Sequence, residues 1–171
     1  MSAITIRAER PGDEPGIFAV NADAFPANDE ARLVDALRAE GTLAISLVAD
    51  RGDAIIGHVA FSDMTVEIAG VAVRALGLAP VAVLTDCQRV GVGGALIRAG
   101  VEQARIAGVQ IVFVLGDPAY YGRFGFTSRD AQGFDSVYAG PYLQALLLDG
   151  TLDLSQAGKA DYAPAFAALE A

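Results

Sequence analysis

The sequence predicts a mixed α/β fold, and three observations carry that reading. An apolar run, Leu78–Leu84, leads through a glycine-rich loop into a long amphipathic segment, Gly91–Ala107, and then into a second apolar run, Val109–Leu115. Strand, helix and strand in that order form a parallel βαβ unit, and runs apolar on both faces belong to the covered middle of a sheet. Upstream, shorter alternating runs joined by tight turns indicate an antiparallel meander. At 171 residues with 53% hydrophobic side chains, the chain suits one domain over residues 1–171 with a well-filled core.

Taken in order, Ile4–Arg7 reads as a short strand with Ile4 and Ile6 on one face. Asp13 and Glu14 then stand where a helix N-terminus favours acids, and Ile17, Val20 and Ala24 follow at helical spacing. A second helix is predicted over Asn28–Glu40, capped by Asn28 or Asp29, with Leu33, Val34 and Leu37 inward and Gly41 ending it. Leu43–Ala49 and Ala54–Phe61 form a strand pair across the turn Asp50-Arg51-Gly52-Asp53. Met64–Val73 is predicted as one further strand, joined to Leu78–Leu84 by a glycine-containing connection. In the long helix Leu96, Ile97, Val101 and Ala104 face inward; Arg98, Glu102 and Arg105 face outward, with Arg98 and Glu102 as an i,i+4 pair. Beyond Phe126 the pattern is less regular, and only Tyr142–Leu148 reads as a strand.

Composition excludes several classes of function. Twelve basic against 21 acidic residues leave a net charge of −9, which argues against a nucleic-acid partner. The most apolar stretch, Ala75–Thr85, is about half the roughly 20 residues of a membrane-spanning helix. Arg7, Glu9 and Arg10 interrupt any apolar signal segment, so a cytoplasmic location is expected. A single cysteine, Cys87, and a single histidine, His58, leave no set of thiolate or imidazole ligands, so no metal is expected. The charge is uneven. Residues 1–70 carry −7 and residues 130–171 carry −5, whereas residues 71–129 carry +3.

Chemistry concentrates in Gln88-Arg89-Val90-Gly91-Val92-Gly93-Gly94-Ala95, between the buried strand and the long helix. Small residues there admit a ligand close to the backbone and point the free N–H groups of the first helical turn at an anion, with Arg89 adding charge. The same spacing also fits a tight turn whose glycines serve packing alone. A Walker A loop would need lysine and a hydroxyl where Gly94 and Ala95 stand, and the dinucleotide fingerprint would need glycine where Leu96 stands.

Val83–Gly93, with Gln88, Gly91 and Gly93 in a Gln/Arg-x-x-Gly-x-Gly/Ala pattern, resembles motif A of the GNAT superfamily of N-acetyltransferases. Downstream, Tyr121-Gly122-Arg123-Phe124-Gly125-Phe126 is similar to that superfamily's Tyr-x-x-x-Gly-Phe segment. The longer run Val114–Phe126, with Leu78–Val83 and Tyr162–Phe166, resembles its YhbS-like subgroup. Thr85-Asp86-Cys87 and Asp117-Pro118 depart from the usual pattern at two places. The resemblance implies a mostly antiparallel sheet with a central splayed parallel strand pair, flanked by helices on both faces. It also implies acetyl-CoA as cosubstrate. The implied binding residues are Val83, Leu84, Gln88, Arg89, Val90, Gly91, Val92, Gly93, Gly94, Ala95 and Phe124. A strand N–H would polarise the acetyl carbonyl, an amine would attack directly, and Tyr121 would serve the departing thiolate. Cys87 adjoins this site as a small hydrophobe, or as a thiol able to pair with CoA.

His58, Asp63, Glu67, Asp86 and water are open alternatives for the general base. The acceptor is expected to be a small-molecule or peptide amine, cationic in view of the acidic flanking segments. The alternative functions are a silent acyl-CoA-binding domain and transfer of a longer acyl group, and the assembly is open between monomer and homodimer.

Overall fold

A computed structural model of the chain describes residues 3–170; Met1, Ser2 and Ala171 of the 1–171 reading lie outside them. The first half runs β1 (Thr5–Ala8), α1 (Glu14–Ala24), α2 (Asp29–Glu40), β2 (Leu43–Asp50), β3 (Ile55–Asp63), β4 (Thr65–Ile68) and β5 (Val71–Val73). The second half runs β6 (Ala75–Val83), α3 (Val92–Ile106), β7 (Ile111–Leu115), α4 (Pro118–Tyr121), β8 (Phe134–Asp135), β9 (Leu143–Leu147) and β10 (Gly158–Asp161). Local chemistry sets the boundaries. Gly41 ends α2 in the left-handed region at φ 79°, returning its N–H to the carbonyls of Leu37 and Arg38. Asp13 precedes α1 and accepts from Arg7 Nη1 and the Arg10 N–H, both at 2.7 Å. Arg7 also donates from Nε to Asp50 at 3.0 Å, so one guanidinium ties β1, β2 and the entry to α1.

Two sheets result. The larger is ordered β1-β2-β3-β6-β7-β9, and every neighbouring pair is antiparallel except β6 and β7. The predicted βαβ unit is therefore β6–α3–β7. The smaller sheet, β5-β4-β10-β8, corrects the reading of Met64–Val73 as one strand. Ala69 and Gly70 both take positive φ, 51° and 79°, between the paired residues Ile68 and Val71. Two successive positive-φ residues make a hairpin turn whose twist matches its strands, and alanine at the first position hides it from the sequence. The connection from β5 to β6 is Arg74 alone, and Gly77 lies inside β6.

Helices cover both faces of the large sheet. On β2, Leu47 and Ala49 join the core beneath α3, while Val48 packs with Ile17 of α1 and Val34 of α2 on the other face. The approach of α3 to β3 is close and reciprocal. A Cβ on Gly57 of β3 would meet Leu96 and Val92 at 3.0 and 3.1 Å, and a Cβ on Gly100 of α3 would meet the Phe61 ring. Each element thus presents a notch to a large side chain of the other, as close packing requires. The predicted Arg98–Glu102 pair does not form; Glu102 meets Arg105 at 3.5 Å, and Arg98 turns elsewhere.

His58 lies on the α1 side of β3, fully buried. Asn21 Nδ2 is 3.2 Å from its Nδ1, and its Nε2 is 2.9 Å from Ser46 Oγ. Ser46 donates its proton to Glu9 at 2.6 Å, so the hydroxyl oxygen accepts from Nε2 and the imidazole is neutral with the proton on Nε2. Burial pushes its pKa down to about 4, against the opposing attraction of Glu9. Burial also works to raise the Glu9 carboxyl, but hydrogen bonds from Arg38 and Ser46 outweigh it and hold Glu9 low.

The unfolded chain binds a proton near pH 6.5 that the folded chain refuses until about pH 4. His58 therefore lends stability above that window and loses it as pH falls through it, by about 3 kcal/mol in all. The carboxylates held low add their own losses only below their ordinary pKa values, so the upper part of the window reports His58. Urea unfolding between pH 7 and pH 4 is expected to show this decline. NMR of the single imidazole is expected to titrate near pH 4, and titration near 6.5 would contradict it.

Candidate active site

The site begins where the parallel ladder stops. β6 pairs with β7 from Ala75↔Ile111 to Leu78↔Val114 and no further, although β6 continues to Val83. On its other side β6 keeps pairing with β3, across a register shift between Val59 and Phe61 that bulges β6 at Ala79 and Pro80. Pro80 has no N–H to donate. Leu84 N–H donates to Ile56 O at 2.9 Å, which makes Gly57/Val83 a non-hydrogen-bonded pair. Val81 and Val83 therefore turn their backbone groups away from β3, toward the gap that β7 has left.

The loop after β6 is fastened at several points. Gln88 Nε2 donates to Val83 O at 3.0 Å, Cys87 N–H to Leu84 O at 2.8 Å, and Thr85 N–H to Asp23 at 2.8 Å. Arg89 and Gly91 both take positive φ, 69° and 91°. Gly91 opens α3 with no side-chain cap and no acid in the first turn. The first amide used inside the helix is Ala95 N–H, to Gly91 O at 3.0 Å, so the amides of Val92, Gly93 and Gly94 precede the helix ladder.

A cleft of about 640 Å³ opens over this helix terminus, between the end of β6 and the segment Tyr120–Phe124. Arg89, Arg98 and Arg123 line it, and none makes an ion pair among the described residues. Arg98 and Arg123 lie 4.9 and 5.5 Å from the centre of the Phe124 ring, and Arg123 lies 4.6 Å from that of Tyr120. Gly94 leaves room for this stack, since a Cβ there would reach Arg98 at 3.1 Å and Phe124 at 3.5 Å. Cations without an ion pair around an uncapped helix N-terminus are the chemistry that can hold an anion.

A second cleft, about 390 Å³, lies beyond the ladder's end and shares Phe25 and Val81 with the first. Asp117 caps α4 by accepting from Ala119 N–H at 2.9 Å, which aims two adjacent tyrosines apart. Their rings are perpendicular, at 89°; Tyr120 lines the first cleft and Tyr121 the second. The Tyr121 ring rests on Gly116, where a Cβ would meet it at 2.5 Å. Burial pushes the Tyr121 phenol up to about 12.

Of the residues read from the sequence, Val83, Gln88, Arg89, Gly91, Val92, Gly93, Gly94 and Phe124 come together around the first cleft. Leu84 lies past the strand with its amide engaged, Val90 is 74% exposed on the loop, and the Ala95 amide is inside the helix ladder. None of these three lines the cleft. Cys87 does, free and partly buried. His58 is buried in its own network, and Asp63, Glu67 and Asp86 are exposed outside both clefts. Arg98, Arg123, Phe25 and Glu30 were missed. Arg98 has the helical spacing of a solvated residue, and only the fold reveals that Phe124 draws it to the cleft.

The sequence profile of the acetyltransferase (GNAT) domain matches residues 5–128. The Escherichia coli K12 protein named uncharacterized N-acetyltransferase YhbS is 42% identical over 123 residues, 71% of this chain and 72% of that protein. YjhQ of the same organism, also named an uncharacterized N-acetyltransferase, is 38% identical over 132 residues, 76% and 71% of the two chains. The crystal structure of Escherichia coli YhbS in complex with CoA superposes with a TM-score of 0.87 at 32% identity, covering 98% of this chain and 93% of that one. A GNAT family acetyltransferase from Brucella melitensis in complex with acetyl-CoA gives 0.79 at 36% identity, over 97% and 99%.

At Gly91 a Cβ would meet nothing within 4 Å, so the demand for glycine is conformational. Gly91→Ala is expected to lower the unfolding free energy by about 1–2 kcal/mol, the cost of a left-handed backbone for an L-residue, measured by urea denaturation.

Proposed function

Because the chain belongs to the GNAT acetyltransferase family, we propose that it moves an acetyl group from acetyl-CoA to an amine by direct attack across the gap between β6 and β7. One observation carries the reading. The uncapped N-terminus of α3, ringed by arginines, and the unpaired edge of β6 border one cleft, and this cleft meets a second at Val81. In this reading the amides of Val92, Gly93 and Gly94, with Arg89, Arg98 and Arg123, receive the pyrophosphate and 3′-phosphate of CoA. The acyl arm follows Val83 and Val81, whose outward N–H groups are placed to bond the thioester oxygen as it gains charge. Gln88 holds the loop in place by its bond to Val83 O.

The amine enters from the second cleft. Its nitrogen bonds to the acetyl carbon, the C–S bond breaks, and CoA leaves as a thiolate; the nitrogen passes its surplus proton to water. Tyr121 stands at this cleft as the group facing the thiolate. With its phenol near 12 and a cysteine-like thiol near 8.5, complete proton transfer is uphill by about 5 kcal/mol. Tyr121 therefore serves chiefly by donating a hydrogen bond, and the thiolate takes its proton from solvent after release. No residue among His58, Asp63, Glu67 and Asp86 is needed as base.

Tyr121→Phe is expected to lower kcat by ten- to a hundredfold with the KM for acetyl-CoA within twofold, in a thiol-release assay over an amine panel. Tyr120→Phe is expected to leave kcat nearly unchanged. Undiminished turnover in Tyr121→Phe would remove its assigned role. No thiol release with any amine, alongside retained CoA binding, would sink transfer itself and favour a silent acyl-CoA-binding domain. Separately, the double substitution Arg98→Ala/Arg123→Ala is expected to raise the acetyl-CoA KM at least tenfold. Unfolding stability should fall by no more than about 1–2 kcal/mol, the loss of the contacts with Phe124 and Tyr120, since neither arginine holds an ion pair among the described residues.

A further inference from the structure

The second cleft narrows the acceptor. Its walls are apolar or aromatic, from Leu33, Leu78, Pro80, Leu115, Phe25 and Phe166, and Glu30 is the single acid among its lining residues. Glu30 is half-buried and makes no ion pair among the described residues. A pocket with one carboxylate balances one positive charge, and a polyamine or aminosugar would bring unmatched cations and hydroxyls against hydrocarbon. An apolar body is what such walls stabilise.

One polar atom in this lining is unsatisfied. The Tyr162 hydroxyl is buried from solvent and has no hydrogen-bond partner among the described residues. Its ring is pinned against Gly77, where a Cβ would meet it at 2.6 Å, and stacks edge-on with Tyr138 at 5.3 Å between centroids. Burial pushes the Tyr162 phenol up, with smaller contributions from the Tyr138 and Tyr121 phenols, so it stays protonated. Tyr162 lines the cavity that holds Tyr121, and its orphaned hydroxyl, closed to water as the cleft stands, is a hydrogen-bonding group left for a ligand that parts the walls over it.

We propose that the acceptor is a primary monoamine on an aromatic or branched apolar body, with the Tyr162 hydroxyl as its polar anchor and Glu30 drawing in its charge. This rests on the acetyl-transfer reading above and deepens it by naming the acceptor class. Its entry parts the cleft over Tyr162, whose oxygen then accepts from the amine nitrogen near Val81, while its apolar body lies against Leu115 and Phe166. Tyr162 is a positioning and binding group and takes no proton.

The test compares kcat/KM for 2-phenylethylamine, spermidine and trialanine at saturating acetyl-CoA, in the parent protein and in Tyr162→Phe. The expected result is at least a tenfold preference for 2-phenylethylamine. Tyr162→Phe is expected to raise the 2-phenylethylamine KM at least fivefold, with the acetyl-CoA KM unchanged and no fall in the urea midpoint, because the lost hydroxyl had no partner. Leu115→Lys, at a side chain already 46% exposed, is expected to fold and to raise the same KM. Preference for spermidine or trialanine overturns the acceptor class and leaves acetyl transfer standing. A lowered midpoint in Tyr162→Phe with unchanged KM overturns the anchor. If no amine is acetylated, acetyl transfer fails, and calorimetry of 2-phenylethylamine with the CoA-loaded protein then decides the pocket: an absence of binding overturns it.

Discussion

The architecture of the site depends on one interruption of backbone hydrogen bonding. β6 and β7 share a parallel ladder only as far as Leu78 and Val114, while β6 remains anchored to β3 along the rest of its length. A strand held on one edge and released on the other presents ordered backbone groups to whatever enters the gap. Elsewhere such groups would be a liability, because an unpaired sheet edge seeks partners. Here α3, α4 and the segment through Phe124 surround it, and the two clefts share Val81 at its centre. The glycines of the loop, the arginines and the adjacent tyrosines all take their meaning from that opening.

Much of this half of the molecule was legible in the sequence because its signals are local. Apolar runs bounded by a glycine-rich loop specify β6–α3–β7, and the spacing of Gly91 and Gly93 marks the helix start. The register from Tyr121 to Phe126 distinguishes two neighbouring tyrosines, which the fold sends to different clefts. The smaller sheet was not legible. β8 has two residues, β10 reads Gly-Lys-Ala-Asp with no β-branched side chain, and their pairing joins segments distant in sequence. The second cleft fails for the same reason. Phe25, Glu30, Leu115, Tyr138 and Phe166 come from five places along the chain, and no spacing rule connects them.

The uneven charge of the sequence acquires a different meaning in three dimensions. The segment with net charge +3 does contribute the unpaired arginines of the first cleft, as its composition suggested. The acidic flanks do not converge on the second cleft, which draws on a single carboxylate, Glu30. Several of their acids are engaged elsewhere, on Arg7, Arg38 and Arg51 or in turns such as that at Asp149. Net charge described the field around the molecule; the lining of the second cleft is instead mostly apolar and aromatic.

The reciprocal fit of α3 on β3 constrains how this sequence can drift over generations. Gly100 is covered by the Phe61 ring, and Gly57 faces Leu96 and Val92. Any side chain at 100 requires a smaller neighbour at 61, and the pair can change only together or through an unstable intermediate. Because α3 carries the helix terminus at the first cleft, a relaxed fit at either notch would also shift Gly91 and Gly93. Positions 57, 61, 96 and 100 should therefore covary among descendants of this chain as a linked set, although none of them touches either cleft.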